Sequence, residues 1–379
     1  MVVINYVTQI NFGFGSLSVL PRECERVGIK RPTLITDRGV RRAGLVDTVL
    51  RHLSTRPSVP VYDETPGNPN EASVRAALAI YREGECDGLI AVGGGSPIDL
   101  AKAVAVLAAH DGTLKNYAAI EGGATRITAA TAPVVAIPTT AGTGSEVGRG
   151  SLIIMDDGRK LGILSPHIVP KSAICDPELT LGLPPALTAA TGMDAVAHCI
   201  ETFLSPLFNP PADGIALDGL RRAWAHIERA TTTPEDREAR LNMMSASTQG
   251  ALAFQKGLGS VHSLSHSLGG INPKLHHGTL NAILLPAVIA FNAQAETVVS
   301  EGKLQRLAGA MGLSSGEEVG PAIETMTRRL GLPTRLSEMG VGAELIPDIV
   351  KGALADHSHN TNPREASAED YADMLRRVM

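Results

Sequence analysis

Apolar and polar residues follow two alternating patterns along the first half of the chain. Apolar positions spaced three and four apart predict helices at 71–84 and 97–110, with Pro97 near the start of the second. Short apolar, β-branched runs predict strands at 31–37, 59–64, 86–96 and 132–146. Strands that alternate with helices in this way predict a parallel α/β sheet covered on both faces.

The pattern changes near Leu181. Strand-like runs stop there, and Ala- and Leu-rich segments with helical spacing continue to the C-terminus. A chain of 379 residues is long enough for two domains with separate cores. We therefore predict an α/β domain over residues 1–180 and an all-helical domain over residues 181–379.

Composition and charge exclude several classes of function. Aromatic residues make up 3% of the chain and the formal net charge is −5, which argues against binding to nucleic acid. The four cysteines are scattered, with no CxxC pair, and this favours reduced thiols. The N-terminal sequence does not resemble a signal peptide, and the apolar runs are too short to cross a bilayer. We expect a cytoplasmic protein that does not bind membranes.

Two predicted strands run directly into glycine-rich loops. The first loop, in "AVGGGSPIDLAKA", precedes a helix whose free N–H groups suit an anion such as a pyrophosphate. The second, in "IPTTAGTGSEV", adds threonine hydroxyls. Neither matches GxGxxG or a P-loop, and a tight turn without a ligand is the alternative for the first. Two such loops at the carboxyl edge of one sheet favour a nucleotide site.

Asp37 ends the predicted strand at 31–37. An acidic residue at this place commonly binds a ribose hydroxyl and repels a 2′-phosphate, which favours NAD over NADP. Arg38 follows directly and weakens this preference. A turn or helix N-cap is the alternative role for Asp37.

The second half of the chain concentrates residues that bind metals. Asp194 and His198 are four apart on a predicted helix, and His262 and His266 repeat this spacing, so each pair lies on one helix face. His276 and His277 follow in "HHGTLNAILLP". Imidazole and carboxylate ligands suit Fe²⁺, Zn²⁺ or a similar divalent ion, although HExxH is absent. The spacing does not select four ligands among these six residues.

These motifs together resemble the iron-containing (group III) alcohol dehydrogenase family, which has a dehydroquinate synthase-like fold. The similar stretches run through the whole chain: "FGFGSL", "LITD", "GGGSPIDLAKAVA", "IPTTAGTGSEV", "AICDPELTLGLPP", "TGMDAVAHCIE", "VHSLSHSLGG", "HHGTLNAILLP" and "TNPREASAEDY".

The resemblance implies an N-terminal domain that binds NAD(H), a helical domain that binds one divalent metal, Fe²⁺ or else Zn²⁺, and an active cleft between them. It implies hydride transfer between a small alcohol and NAD(H), by a homodimer or larger homo-oligomer. His266 is implied near the substrate, in proton transfer or in orienting the alcohol. The implied metal ligands are Asp194, His198, His262 and His277. The implied cofactor contacts are Asp37, Gly94, Gly95, Ser96, Asp99, Thr139, Thr140, Thr143 and Lys160.

Three departures from the family pattern concern the substrate pocket. His276 stands where proline is common, Gly150 follows Arg149 where some members carry a bulkier residue, and Ser358 stands where cysteine is frequent. None of them is an implied ligand, so they leave the substrate open. His276 has no implied role.

Three other functions remain as alternatives. A maleylacetate reductase-type or other metal-independent NAD(P)H reductase shares the glycine-rich loops, but would not need the Asp and His set. A dehydroquinate synthase-type cyclisation lacks the dense basic residues that its substrate requires. A non-catalytic metal- and nucleotide-binding protein is the alternative from another class.

Overall fold

The computed structural model describes residues 8–53 and 58–379 and divides them into two compact units. The sheet unit comprises the described residues up to Thr140 together with residues 144–182. The helical unit comprises residues 183–379 and the short segment 141–143 from the second glycine-rich loop. The functional division predicted at residue 181 stays a prediction.

The sheet unit is built on six parallel strands. Their order is β1-β8-β5-β4-β2-β3, and β6 and β7 form a separate antiparallel hairpin. The strands are β1 (Gln9–Phe12), β2 (Pro32–Ile35), β3 (Val61–Tyr62), β4 (Gly88–Gly93), β5 (Val134–Pro138), β6 (Gly150–Ile154), β7 (Lys160–Leu164) and β8 (Ser172–Cys175).

Helices cover the parallel sheet on both faces. Neighbouring side chains of one strand enter different cores: Leu34 packs in one cluster and Ile35 in the other. This follows from the two-residue period of a strand, and it explains why β2 and β4 are buried along their whole length. The helices of this unit are α1 (Leu20–Arg26), α2 (Arg38–Arg42), α3 (Leu45–Arg51), α4 (Glu71–Glu83) and α5 (Gly95–Ala109).

The strand order reverses between β2 and β4. The chain moves outward from β2 to β3, then returns past β2 to β4 and continues to β5 and β8. Loops on either side of such a reversal point away from each other and leave a crevice at the carboxyl ends of the strands, where open α/β sheets bind ligands. Asp37 follows β2 and the first glycine-rich loop follows β4, so both lie at this place.

The helical unit contains only helices, short 3₁₀ turns and loops. Its two longest helices, α6 and α7, pack on each other and on α8. Its helices are α6 (Pro185–Leu204), α7 (Pro210–Thr232), α8 (Arg237–Ala253), α9 (Ser260–Ile271), α10 (His277–Asn292), α11 (Glu296–Ser300), α12 (Lys303–Met311), α13 (Val319–Arg329), α14 (Ile346–Leu354) and α15 (Ala368–Val378).

The predicted fold class is confirmed, with differences in detail. Helix α5 begins at Gly95, two residues before Pro97, and Gly94 is its extended N-cap residue. The strands β1 and β8 and the β6–β7 hairpin were not predicted, since each is only four or five residues long and shows little apolar periodicity. No described helix is long and apolar enough to span a membrane.

Candidate metal centre and nucleotide site

Three histidine rings converge on one carboxylate oxygen inside the helical unit. The Nε2 atoms of His198, His262 and His277 lie 3.7 Å, 3.8 Å and 3.6 Å from Oδ1 of Asp194. Helix α6 carries Asp194 and His198 one turn apart, α9 carries His262, and His277 is the first residue of α10. The structure thus brings together the four residues that the resemblance implied as ligands.

The dimensions of this cluster fit a small divalent ion. Tetrahedral ligands at Zn–N and Zn–O bond lengths are separated by about 3.3–3.6 Å, close to the three distances to Asp194. Asp194, His198 and His262 are each at most 3% exposed, and the side chain of His277 is 26% exposed. Burial lowers the pKa of His198, which keeps its imidazole neutral as a metal ligand requires. The donor types and the spacing therefore fit Fe²⁺ or Zn²⁺.

Glu201 binds the ring of His262 at Nδ1, the nitrogen that does not face Asp194. One carboxylate oxygen bonds to Nδ1 of His262 by a short contact, and the other accepts the backbone N–H of Val261 at 2.7 Å. A proton on Nδ1 leaves Nε2 as the lone-pair donor, which is the arrangement of carboxylate–histidine–metal sites. Burial raises the pKa of Glu201 to about 8. Glu201 was not predicted, although it follows His198 at helical spacing on α6.

Asn281 holds the carboxylate of Asp194. Its Nδ2 donates to Oδ1 of Asp194 at 2.8 Å and lies within 3.4 Å of the Nε2 atoms of His262 and His277. Asn281 is fully buried and stands one turn after His277 on α10. This residue was also missed, and its spacing from His277 was the available signal.

His266 lies beside the cluster and is bound by a different carboxylate. Its ring stacks on His277, with centroids 5.3 Å apart, while its Nδ1 bonds to Oδ2 of Asp356 at 3.0 Å. His266 thus pairs with Asp356, whereas the other three histidines converge on Asp194. This placement agrees with its implied position next to the ligands. His276, the N-cap residue of α10, is half-buried, and burial lowers its pKa.

The two glycine-rich loops adjoin at the carboxyl edge of the sheet. The N–H of Thr139 donates to the carbonyl of Gly93 at 2.9 Å, and a Cβ on Gly94 would lie 3.2 Å from Oγ1 of Thr140. Gly93 has φ +152°, and a Cβ there would lie 2.6 Å from Pro97, so glycine is required. Gly94 caps α5 and Gly95 begins it, which leaves free N–H groups at the loop.

Asp37 acts as the N-cap of α2. Its Oδ1 accepts the backbone N–H groups of Gly39 at 2.7 Å and of Val40 at 2.9 Å. This is the capping role that the sequence left as an alternative. Only Oδ1 makes these two bonds, so capping does not exclude a ribose contact through Oδ2. The neighbouring Arg38 forms an ion pair with Glu64.

A short loop after β3 links Ser96 and Lys160. The Ser96 hydroxyl donates to the carbonyl of Gly67 at 2.6 Å, and Nζ of Lys160 donates to Oδ1 of Asn68 at 2.8 Å. Both side chains therefore lie near the same loop in the sheet unit. Thr143, another implied cofactor contact, belongs to the helical unit.

The carboxylate of Asp99 is hydrogen-bonded within the sheet unit. Its Oδ1 accepts the hydroxyl of Ser145 at 2.5 Å and its Oδ2 accepts the N–H of Leu152 at 3.0 Å. The buried Lys102 donates to the same hydroxyl at 2.8 Å, and burial lowers its pKa to about 8. These bonds tie α5 to the loop after β5 and to β6. The implied cofactor contact of Asp99 stays a prediction.

Fold and site together define a class of protein. A parallel α/β unit with adjoining glycine-rich loops and a helical unit with a buried Asp and three His are the parts of a metal-dependent dehydrogenase. Residues 7–177 match the family model described as iron-containing alcohol dehydrogenase, and residues 188–379 match its C-terminal counterpart. The chain belongs to the iron-containing alcohol dehydrogenase family. The predicted family and enzyme class, an NAD-dependent alcohol dehydrogenase, are thereby confirmed.

Individual relatives agree with this assignment. The chain is 61% identical to a 4-hydroxybutyrate dehydrogenase of Cupriavidus necator over 383 aligned positions, which cover all of both chains. A crystal structure of a 1,3-propanediol oxidoreductase covers all of both chains at 34% identity and a TM-score of 0.92. A sulfoacetaldehyde reductase of Bifidobacterium kashiwanohense, solved with NAD⁺, covers 100% of this chain and 98% of its own, with 28% identity and a TM-score of 0.89.

Proposed function

We propose that this protein interconverts a four-carbon ω-hydroxy acid, 4-hydroxybutyrate, and its semialdehyde, with NAD(H) as hydride carrier and a divalent metal at Asp194, His198, His262 and His277. The observation that carries the reaction type is the convergence of three imidazole nitrogens, from the buried His198 and His262 and the partly exposed His277, on one oxygen of Asp194. The substrate is supported by the full-length identity of 61% to the 4-hydroxybutyrate dehydrogenase.

A divalent ion in this site supplies a Lewis acid that lowers the pKa of an alcohol or polarises a carbonyl. The protein contributes orientation. Glu201 fixes the tautomer of His262, and Asn281 orients the carboxylate of Asp194. His266, held by Asp356, orients the alcohol or exchanges its proton.

The sheet unit is proposed to bind the dinucleotide at the strand reversal between β2 and β4. The pyrophosphate then lies at the N–H groups of Gly94, Gly95 and Ser96, with Thr139 and Thr140 on the adjoining loop. Oδ2 of Asp37 binds a ribose hydroxyl, which favours NAD over NADP. Lys160, Thr143 and Asp99 complete the proposed contacts. We further propose a cytoplasmic location and a homodimer or larger homo-oligomer.

One experiment tests both the metal and the substrate. The purified protein is assayed for bound metal, and NADH absorbance is followed with 4-hydroxybutyrate, butan-1-ol and propane-1,3-diol, with and without a chelator. We expect the highest kcat/KM with 4-hydroxybutyrate, and loss of activity on metal removal that added Fe²⁺ or Zn²⁺ restores. Full activity after complete metal removal would instead support a metal-independent reductase. Bound metal and nucleotide without turnover of any alcohol or aldehyde would support a non-catalytic protein.

A further inference from the structure

A row of three stacked imidazole rings leads outward from the metal cluster within the helical unit. His277 stacks on His266 with planes 11° apart, and His266 stacks on His357 at 5.8 Å between centroids with planes 21° apart. The side chain of His266 is 6% exposed, whereas that of His357 is 37% exposed. The row therefore begins at a proposed ligand and ends at a ring that reaches solvent.

The imidazole of His357 stacks on His266 and lies close to Asp356, but neither contact is a hydrogen bond. Its Nδ1 lies 3.7 Å from Oδ2 of Asp356, beyond hydrogen-bond distance, because that oxygen already accepts from His266. Oδ1 of Asp356 accepts the N–H of Ser358 at 2.8 Å. Within residues 8–53 and 58–379, the structure gives His357 no hydrogen bond. Its ring nitrogens are therefore available to a ligand.

The two other basic side chains between residues 357 and 364 form contacts within the protein. Nδ1 of His359 lies 3.0 Å from the hydroxyl of Tyr371. Arg364 donates to the carbonyl of Phe291 at 3.2 Å, and its guanidinium lies 4.2 Å from the centroid of the Phe291 ring. Of the three basic groups between 357 and 364, His357 is the one to which the described part of the chain gives no hydrogen bond.

The carboxylate of Asp356 lies between His266 and His357. Burial alone would raise the pKa of Asp356, but the neighbouring His266 and His357 have the larger, opposite effect. The pKa of Asp356 therefore lies well below its usual value, and the carboxylate is ionised. His357 is a partly exposed ring one step beyond His266, and its imidazole can donate a hydrogen bond.

The distances match the length of a four-carbon ω-hydroxy acid. In extended form, its hydroxyl oxygen and carboxylate oxygens are about 6 Å apart, as bond lengths near 1.5 Å require. The ring steps from His277 to His266 and from His266 to His357 are 5.3 Å and 5.8 Å. The two steps together measure at most about 11 Å. The extended acid covers this distance with a bond of about 2 Å from its hydroxyl to the ion and a hydrogen bond of about 2.8 Å from its carboxylate to His357.

We propose that His357 binds the carboxylate of the substrate and determines the preference for ω-hydroxy acids over neutral alcohols. This inference rests on the proposed function, because it presumes that the site oxidises an ω-hydroxy acid. The imidazole donates a charge-assisted hydrogen bond to the carboxylate, and a bond of this kind contributes to binding of the acid but not to that of butan-1-ol.

The test compares two substrates in variants of the full-length, metal-loaded protein. We measure kcat/KM for 4-hydroxybutyrate and for butan-1-ol, and bound metal, in H357F, which keeps a ring, and in H357N, which keeps a donor. H357F is expected to lower the ratio of the two kcat/KM values about 10- to 100-fold, mainly through KM for the acid. H357N is expected to retain part of the preference. His226→Phe, on α7, is the matched control, since the His226 ring bonds to a carbonyl of its own helix.

Each other result counts against the inference in a distinct way. An H357F variant in which both substrates lose activity equally would show a general role in structure or proton transfer. An unchanged ratio in H357F, together with loss of the ratio in Arg149→Gln, would place the carboxylate contact at Arg149. A wild-type protein that oxidises butan-1-ol but not 4-hydroxybutyrate would overturn the proposed substrate itself, before any variant is considered.

Discussion

At the scale of single residues, three histidines direct their Nε2 atoms to Asp194, whereas a fourth lies beside them and binds another carboxylate. Asp194 is the common partner of His198, His262 and His277, whereas His266 is turned to Asp356. Two histidines one turn apart on α9 therefore have different environments although the sequence presents them alike. The difference comes from which carboxylate each ring meets.

Asp194→Ala removes the shared carboxylate. It leaves three imidazoles without a negative ligand and opens a space among buried groups. We expect metal binding to weaken more than 100-fold, as seen in typical ligand removal, and turnover to be lost. Bound metal after dialysis and NADH formation measure this. A fully active variant that retains metal would show that Asp194 is not a ligand.

Glu201→Gln tests the support of His262. The amide oxygen can still accept one of the two bonds, from the N–H of Val261 or from Nδ1–H of His262, but the amide NH2 group then faces the other donor. We expect metal affinity to fall about 10- to 100-fold with little loss of stability. Metal titration with a chelating indicator gives the affinity, and circular dichroism checks the fold. Unaltered affinity would remove Glu201 from the site.

His266→Ala should separate binding from turnover. Because this ring does not point to Asp194, we expect bound metal to stay near the wild-type amount while kcat falls, about 100-fold if the ring transfers a proton. Loss of the metal in this variant would identify His266 as a ligand. His226→Ala serves as the control for removal of a histidine from the helical unit.

At the scale of elements, the sequence predicted the helices of the ligand cluster better than it predicted the strands of the sheet. The pairs Asp194–His198 and His262–His266 lie on α6 and α9 as their spacing predicted. Their partners in space were not predictable, because contacts such as Glu201 to His262 join residues 61 positions apart. Short strands such as β8 were missed because four buried residues carry no period of their own. Pairing with β1 and β5 makes them strands.

The contact between α7 and α8 offers a pH test of one element. Burial raises the pKa of Asp218, but Arg222, Arg221 and Gln249 lower it to about 2. The folded-state pKa thus lies below the unfolded value near 4, so its contribution to stability is complete above about pH 4 and is lost as pH falls toward 2. We expect Asp218→Asn to lower stability at pH 7 by less than about 1 kcal/mol, because the side chain is partly exposed.

Denaturant unfolding of wild type and Asp218→Asn at pH 7 and pH 3 measures this difference. It should shrink at the lower pH, where the wild-type carboxylate begins to take up a proton in the unfolded chain. Arg328→Gln removes an exposed ion pair with Glu324 within α13 and is the control, with an effect near zero at both pH values. If Asp218→Asn lowers stability by the same amount at both pH values, the loss comes from hydrogen bonds alone and not from the charge of Asp218.

At the scale of the whole molecule, the ligand cluster draws its residues from three helices that are distant in sequence. Binding of a metal to α6, α9 and α10 requires these helices in their folded arrangement, so the ion stabilises the folded state of the helical unit. The sheet unit has its own cores and contributes no ligand to this cluster. Metal removal should therefore lower mainly the stability of the helical unit.

We expect a chelator to lower the melting temperature and added Fe²⁺ or Zn²⁺ to restore it. An ion at a hundred times its Kd contributes about 2.7 kcal/mol, which corresponds to a shift of several degrees in a unit of this size. Differential scanning calorimetry of apo, reloaded and Asp194→Ala protein measures the shift. The variant is the decisive control, because its melting temperature should not respond to the chelator. An equal shift in wild type and variant would mean that the stabilising ion lies elsewhere, and the four-ligand site would then have no part in folding.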